Sequence, residues 1–421
     1  MSARLSLPRV GANNDRNDHN GVGREETHLK ALSILDESGA VKGSRFEQLR
    51  HSSWQGRRAM FPAAMKDLCP FLFAIFLIIT HSGGSVDEPT AATLRVMQLN
   101  IWQEGTSVPG GVDMIAEVIL QAHADVVALS EVRNYHGEDW HAKILAALKT
   151  KAPEIVFHGQ FVAGDVGLLS RVPIASVAPV FNETKADSGS IMAWRLTCPG
   201  QREVTVCSAH LDYKHYALNW VRGYHGGEPD WKIADENQDG EPDRRNDAGA
   251  VLTYNRESRR GAAIEAFIAF AQAERQAGRA VILAGDFNEG SHLDWTENAK
   301  NFAGHYGAVL PWDNSLALIK AGFRDAWRTI YPDEIAHPGF SWPATAFEKK
   351  TTSWAPLSDE RDRIDFIYCS DGLHPARAWM VGPRTCFIGE RKVDDPGEDP
   401  FLCADLPWPS DHKGILVELA Y

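Results

Sequence analysis

Apolar and polar positions alternate over Thr93–Leu99, the period-two pattern of a half-buried strand. Apolar residues then recur at helical spacing over 112–123, at Met114, Ile115, Val118 and Ile119. Asp125–Ser130 is a short apolar run ending in a polar residue, as a buried strand does. The pattern predicts a helix over 140–149, strands near 166–170, 191–197 and 203–210, and its strongest helix over 256–276. Ala280–Ala284 reads as a buried strand halted by Gly285, and further strands fall at 364–369, 376–381 and 414–419. Strands outnumber helices and do not alternate strictly with them. That predicts an α/β domain with mainly antiparallel sheets over residues 94–421, without internal repeats. More than forty residues without a clear period separate His210 from the helix near 256. A loop that long inside a compact domain is usually functional.

The N-terminal stretch reads differently. Residues 1–64 show little apolar periodicity and carry ten Lys and Arg against seven Asp and Glu. Met65-Lys66-Asp67 then leads into an apolar run from Leu68 to Ile79, followed by His81, Ser82, Gly83, Gly84 and Ser85. Basic start, apolar stretch and small residues form a secretory signal pattern, and the run is short for a bilayer span. The expectation is a disordered leader or mis-assigned start over 1–64, a signal peptide over 65–85, and a secreted or periplasmic domain over 86–421. The alternative is a buried helix of an N-terminal domain.

Composition narrows the class. Of 421 residues, 44% are hydrophobic and 24% charged, ordinary for a globular chain and unlike a collagenous, disordered or multi-span protein. The net charge of −13 argues against a general polyanion binder, because such binding runs on Lys and Arg. It leaves a nuclease open, since a metal ion supplies positive charge locally. Six cysteines without a C-x-x-C pair make neither a disulfide scaffold nor the usual structural zinc site.

Polar residues close several predicted strands. Asn100 follows Met97-Gln98-Leu99, Glu131 follows Ala128-Leu129-Ser130, and His210 follows Cys207-Ser208-Ala209. Asp286 and Asn288 stand in Gly-Asp-Phe-Asn, Asp365 in Arg-Ile-Asp-Phe-Ile-Tyr, and Asp411 and His412 in Ser-Asp-His. Asn, Glu and Asp offer hard oxygen ligands suited to Mg²⁺ or Mn²⁺, and the histidines offer acid–base partners. Together they suit metal-assisted attack of water on a phosphate ester. Each block alone has an ordinary structural explanation as a turn or a solvated strand end.

The ordered set resembles the endonuclease/exonuclease/phosphatase superfamily, which groups deoxyribonucleases, apurinic endonucleases, neutral sphingomyelinases and inositol polyphosphate phosphatases. The resemblance covers residues 94–421 and implies a four-layered α/β sandwich, two packed mainly antiparallel sheets with helices outside. It implies Glu131 as principal metal ligand with Asn100 and Asp411 beside or behind it. Asp286 would orient or deprotonate the attacking water, and Asn288 would hold the phosphate. His210 and His412 would contact the scissile phosphate, with Asp365 pairing His412. His210 matches the deoxyribonuclease and sphingomyelinase pattern. The apurinic endonucleases carry Tyr at that place. Asp165 is a candidate partner for His210.

Two insertions remain, near 213–250 and 386–403. Tyr213, Tyr216 and Trp220 follow His210 and form a candidate stacking platform for substrate, or else pack on themselves. Asp235, Asn237 and Asp239 match the front of a calcium loop, but position twelve is Asn246 in place of Glu, so an acidic turn competes with a structural Ca²⁺ site. Cys386 and Cys403 bracket the second insertion and would staple it if joined. The expectation is a monomeric, exported, Mg²⁺-dependent phosphodiesterase with a nuclease-like substrate and no membrane span in the mature chain. The alternatives are a phospholipid or small phosphate-ester hydrolase and, remotely, a non-catalytic binding module. No Lys/Arg cluster near the first insertion favours polyphosphorylated inositols, and no apolar hairpin favours a lipid surface.

Overall fold

The computed structural model describes residues 92–421 apart from 135–136, 161, 183–188 and 226–231. The leader and signal-peptide expectations lie outside the described residues. The alternating segments build two six-stranded sheets. One contains β1 (Thr93–Asn100), β2 (Val126–Ser130), β3 (Val166–Ser170), β10 (His374–Val381), β13 (Phe401–Leu402) and β14 (Gly414–Ala420), in the order β13-β10-β14-β1-β2-β3. The other contains β4 (Ile174–Asn182), β5 (Ser190–Cys198), β6 (Arg202–His210), β7 (Ala280–Asp286), β8 (Arg324–Asp325) and β9 (Asp365–Cys369), in the order β4-β5-β6-β7-β9-β8. The pairs β1–β2, β6–β7 and β10–β13 are parallel and the rest antiparallel.

Period-two alternation assigns each face. Leu94 and Val96 of β1, Val204 and Val206 of β6, and Ile282 and Ala284 of β7 meet in a core between the sheets. Their odd-numbered neighbours point outward. Met97 and Leu99 pack with Ile115 and Ile119 of α1 (Gly111–Gln121) and Ile144 of α2 (Trp140–Lys151). Cys207, Val281 and Leu283 pack with Ile264 and Phe267 of α5 (Arg260–Gln276) and Leu318 of α6 (Asp313–Lys320). The result is helix, sheet, sheet, helix: the expected four layers. Each fully buried aliphatic side chain here stabilises by about 1.5–3 kcal/mol.

At one end of the sandwich the inward positions turn polar. Gln98 and Asn100 follow Val96, Ser130 follows Ala128, and Ser208 and His210 follow Val206. Asp286 follows Ala284, and Asp365 precedes Ile367 on the antiparallel β9. Two serines bolt the sheets there: Ser130 Oγ donates to Ala209 O and Ser208 Oγ to Leu129 O, both at 2.9 Å. Gly285 permits the close approach of β6 and β7, since a Cβ on it would lie 2.1 Å from Ala209 O.

The stretch after His210 is more ordered than its sequence predicts. It carries α3 (Ala217–Val221) and α4 (Ala248–Asn255), the latter capped by Asp247, which accepts Ala250 N–H. The long helix begins at Arg260 rather than 256. A short hairpin, β11 (Thr385–Ile388) and β12 (Arg391–Asp394), fills the second insertion.

Candidate active site

Strand register builds the site. His210 of β6 lies beside Asp286 of β7, which lies beside Asp365 of β9, so three functional residues form a row across one sheet. Asn100 reaches across from the other sheet, and its Nδ2 donates to Asp286 Oδ2 at 2.9 Å. The loop into β14 adds Asp411 and His412. His412 Nδ1 is 2.8 Å from Asp365 Oδ2, and His210 Nδ1 is 2.6 Å from Asp165 Oδ2. Each imidazole is thus pinned through Nδ1 by a buried aspartate. Both Nε2 atoms then face Asp286 Oδ2 at 3.7 Å. Asp286 Oδ1 accepts the backbone N–H of Asn288, and Asn288 Nδ2 donates to Leu211 O.

Burial alone depresses an imidazole's pKa, but the carboxylates overcome it here. Asp165, aided by Asp286 and Glu131, pushes His210 up to about 9. Asp365 and Asp286, aided by Asp411, push His412 up to about 10. Two imidazolium groups therefore face the cleft at neutral pH. Burial also raises Asp286, with Asp365 acting the same way and both histidines opposing.

Glu131 takes a left-handed backbone (φ 67°), and its Oε2 accepts the Gln103 N–H at 2.6 Å. Its Oε1 lies 3.2 Å from Asn100 Nδ2. Burial pushes Asp411 up to about 8 against the pull of His412, and the negative charge of Glu131 adds to that rise. Crowded carboxylates whose ionisation a cation would restore are the donor set of a hard divalent ion, so these residues fit Mg²⁺ or Mn²⁺. Asn100 bridges Glu131 and Asp286 through Nδ2, while its Oδ1 accepts Trp102 N–H, which makes it a support that positions both carboxylates. Asp286, Asp365 and His412 also bring ligand atoms within 4.8 Å of one another. The Asp365–His412 hydrogen bond and the raised His412 pKa favour proton holding at that trio.

The cleft, about 290 Å³, is lined by Glu131, His210, Asp286, Asn288, Asp411 and His412. Trp102, Gln103, Arg133, Tyr213 and Trp354 complete its rim. Sequence reasoning missed Trp102, Arg133 and Trp354. Trp102 stands two residues after Asn100 on a turn of left-handed residues, a signal visible only in the backbone (φ 44°).

Two expectations need correction, the aromatic platform and the Cys386–Cys403 staple. Tyr216 is fully buried among Leu218, Val251 and Trp312, so its ring offers no face to substrate. Trp220 packs against the same cluster, stacked on Tyr254 with the Arg245 guanidinium over its ring. Of the proposed platform, Tyr213 alone lines the cleft. Cys386 and Cys403 are free thiols: Cys386 Sγ accepts from Lys413 Nζ, while Cys403 packs against the α1 side of the molecule. Around Asp235, the side-chain oxygens of Asp235, Asn237 and Asp239 accept backbone N–H groups of their own loop, which holds an exposed acidic turn.

The chain belongs to the endonuclease/exonuclease/phosphatase family, whose model matches residues 97–412. Members of this family are typically hydrolases acting on phosphodiester bonds. A Caenorhabditis elegans protein described as uncharacterized, F14F9.5, is 25% identical over 357 residues, covering 84% of this chain and 99% of that one. Among solved structures, D. rerio TDP2 complexed with single-strand DNA product is similar at 17% identity and TM-score 0.44, covering 78% of this chain and 100% of that one. An endonuclease/exonuclease/phosphatase from Beutenbergia cavernae is similar at 19% identity and TM-score 0.41, covering 78% and 71%.

Proposed function

We propose that this protein is an exported, Mg²⁺-dependent phosphodiesterase that hydrolyses a nuclease-like substrate by direct attack of water. The observation that carries the reading is the convergence of two aspartate-pinned imidazoles on Asp286 Oδ2, each at 3.7 Å. A single phosphate seated there meets two N–H donors and one carboxylate.

Glu131 and Asp411 would hold the ion, which when bound polarises a phosphoryl oxygen. Asp286 aligns the attacking water and takes up its proton. Its raised pKa makes it a stronger base than an exposed aspartate. His210 and His412 donate from Nε2 to the non-bridging oxygens as charge builds, already oriented by Asp165 and Asp365. Asn288, its backbone fixed on Asp286, turns the phosphate toward that water. The left-handed backbone of Glu131 and Asn288 keeps both side chains at the cleft floor.

The hairpin over 385–394 turns through Gly389 and exposed Glu390. Exposed Arg391 and Lys392 follow, so the tip is polar and charged, without the apolar side chains that would enter a lipid surface, which favours a dissolved substrate. The test is hydrolysis of bis-p-nitrophenyl phosphate, single-stranded DNA, RNA and sphingomyelin by the full chain with Mg²⁺. The reading expects cleavage of the small ester and of nucleic acid. Sphingomyelin turnover alone would replace it.

A further inference from the structure

We propose that a second cavity beside the active cleft binds a flanking phosphate of the same substrate strand, which makes a single-stranded oligonucleotide the preferred substrate class. This deepens the function proposed above and rests on it.

The cavity measures about 350 Å³ and gathers Lys349 from one segment and Arg384 and Lys392 from the β11–β12 hairpin. One carboxylate, Asp405, also lines it, so it carries a net charge of about +2 in a strongly acidic protein. Among the described residues, none of these cations is engaged in an ion pair. Arg384 and Lys392 are exposed and Lys349 is half-buried, so their charge is open to a dissolved anion, whereas the buried Arg363 is held by Asp294 and Asp325 and the buried Lys413 by Asp395. Unneutralised cations around a hollow are a site for an anion. Thr345 and Thr385 hydrogen-bond to each other through their hydroxyls at 2.6 Å on the cavity wall, which leaves one O–H of the pair to donate to a phosphate oxygen.

The two cavities share a border. Trp102 lines the active cleft and Lys349 lines the second cavity, and the Lys349 ammonium lies 5.1 Å from the centroid of the Trp102 ring. Trp408 lines the second cavity, and its Nε1 donates to His412 O at 2.7 Å. A strand with one phosphate on His210 and His412 therefore leaves the cleft past an aromatic ring and an ammonium and reaches the cationic hollow. An indole beside a cation suits a base and its adjoining phosphate. A single strand bends over such a seam, whereas a stiff duplex does not.

The test is fluorescence anisotropy of a 5′-labelled eight-nucleotide oligothymidylate bound to the full chain in EDTA, so that nothing turns over. The variant replaces Lys349, Arg384 and Lys392 together by Ala. The proposal expects at least about tenfold weaker binding and a salt slope shallower by about 0.7, the value for one lost phosphate contact on a single strand. It expects unchanged kcat/KM on bis-p-nitrophenyl phosphate, which has no second phosphate. Oligothymidylate binding and salt slope equal to wild type would overturn it. So would an equal loss on the small ester, or loss of binding to phosphatidylserine vesicles with oligothymidylate binding intact. A wild-type chain inert on the small ester would overturn the hydrolytic reading, while the EDTA binding result would still decide the second site.

Discussion

His210 Nδ1 lies 2.6 Å from Asp165 Oδ2, joining the end of β6 to the loop that enters β3. The contact fixes which ring nitrogen faces the cleft and holds the imidazole charged, up to about 9. Asp165→Asn should lower kcat by about 10–100-fold with little change in KM, the usual cost of losing an orienting partner. It should also move the alkaline limb of the pH–rate profile toward neutrality, because the carboxylate that raises the histidine is gone. An unmoved limb in the variant would show that His210 does not act as an imidazolium.

His210→Ala and His412→Ala should each cost about 10²–10³ in kcat if both donate to the developing phosphate charge. Asp365→Asn should add little in the His412→Ala background, since the aspartate acts through that ring. Full additivity in the double-mutant cycle would break the pairing.

Mg²⁺ or Mn²⁺ should raise the Tm of the wild-type chain, because an ion that binds only the folded state stabilises it by mass action. Glu131→Gln should abolish that rise and the activity while leaving the metal-free Tm at or above wild type. The reason is that Glu131 and Asp411 crowd each other without a cation. A metal-induced Tm rise that survives Glu131→Gln would place the ion elsewhere.

The aromatic residues divide by burial. Tyr216→Ala should cost stability of about 3–5 kcal/mol, the range for emptying a buried aromatic site, and lower activity on all substrates alike. Tyr213→Ala and Trp102→Ala should spare stability and the small ester but weaken oligonucleotide kcat/KM by about 1–3 kcal/mol per lost stack. Denaturant unfolding beside a substrate panel separates the two outcomes.

Buried His141 sets an acid limit. Burial drives its pKa down to about 4, and neither ring nitrogen has a hydrogen-bond partner. With the folded value below the unfolded one, its neutral form contributes stability that is full above about pH 6.5 and is lost as pH falls toward 4. The loss proceeds at no more than about 1.4 kcal/mol per pH unit. Urea unfolding should show that slope in wild type relative to His141→Leu. The comparison matters because burial raises Asp362 to about 7, which tilts the wild-type profile the other way. Parallel profiles would remove His141 as a cause.

The sandwich was legible because period-two alternation and strand-end polarity are local signals: the residues at 100, 210, 286 and 365 close or open strands, and those at 131 and 412 stand within two residues of one. The aromatic assignments failed for a physical reason. Tyr216 and Trp220 look alike in sequence, and only packing against residues such as Trp312 and Tyr254 decides that they face inward. The second cavity was invisible because Lys349 lies over thirty residues before Arg384 and Lys392, and the three form no run. If its cations bind a flanking phosphate, oligonucleotide binding should carry a measurable salt slope.

The central claim is metal-dependent hydrolysis at the paired histidine–aspartate centre. The most direct measurement follows bis-p-nitrophenyl phosphate hydrolysis by the full chain in Mg²⁺, in EDTA, and after Mg²⁺ is restored, for wild type and the His210→Ala/His412→Ala double variant. The account predicts turnover that EDTA abolishes, that Mg²⁺ restores, and that the double variant lacks under every condition. Turnover that persists in EDTA, or that the double variant retains in full, would contradict it.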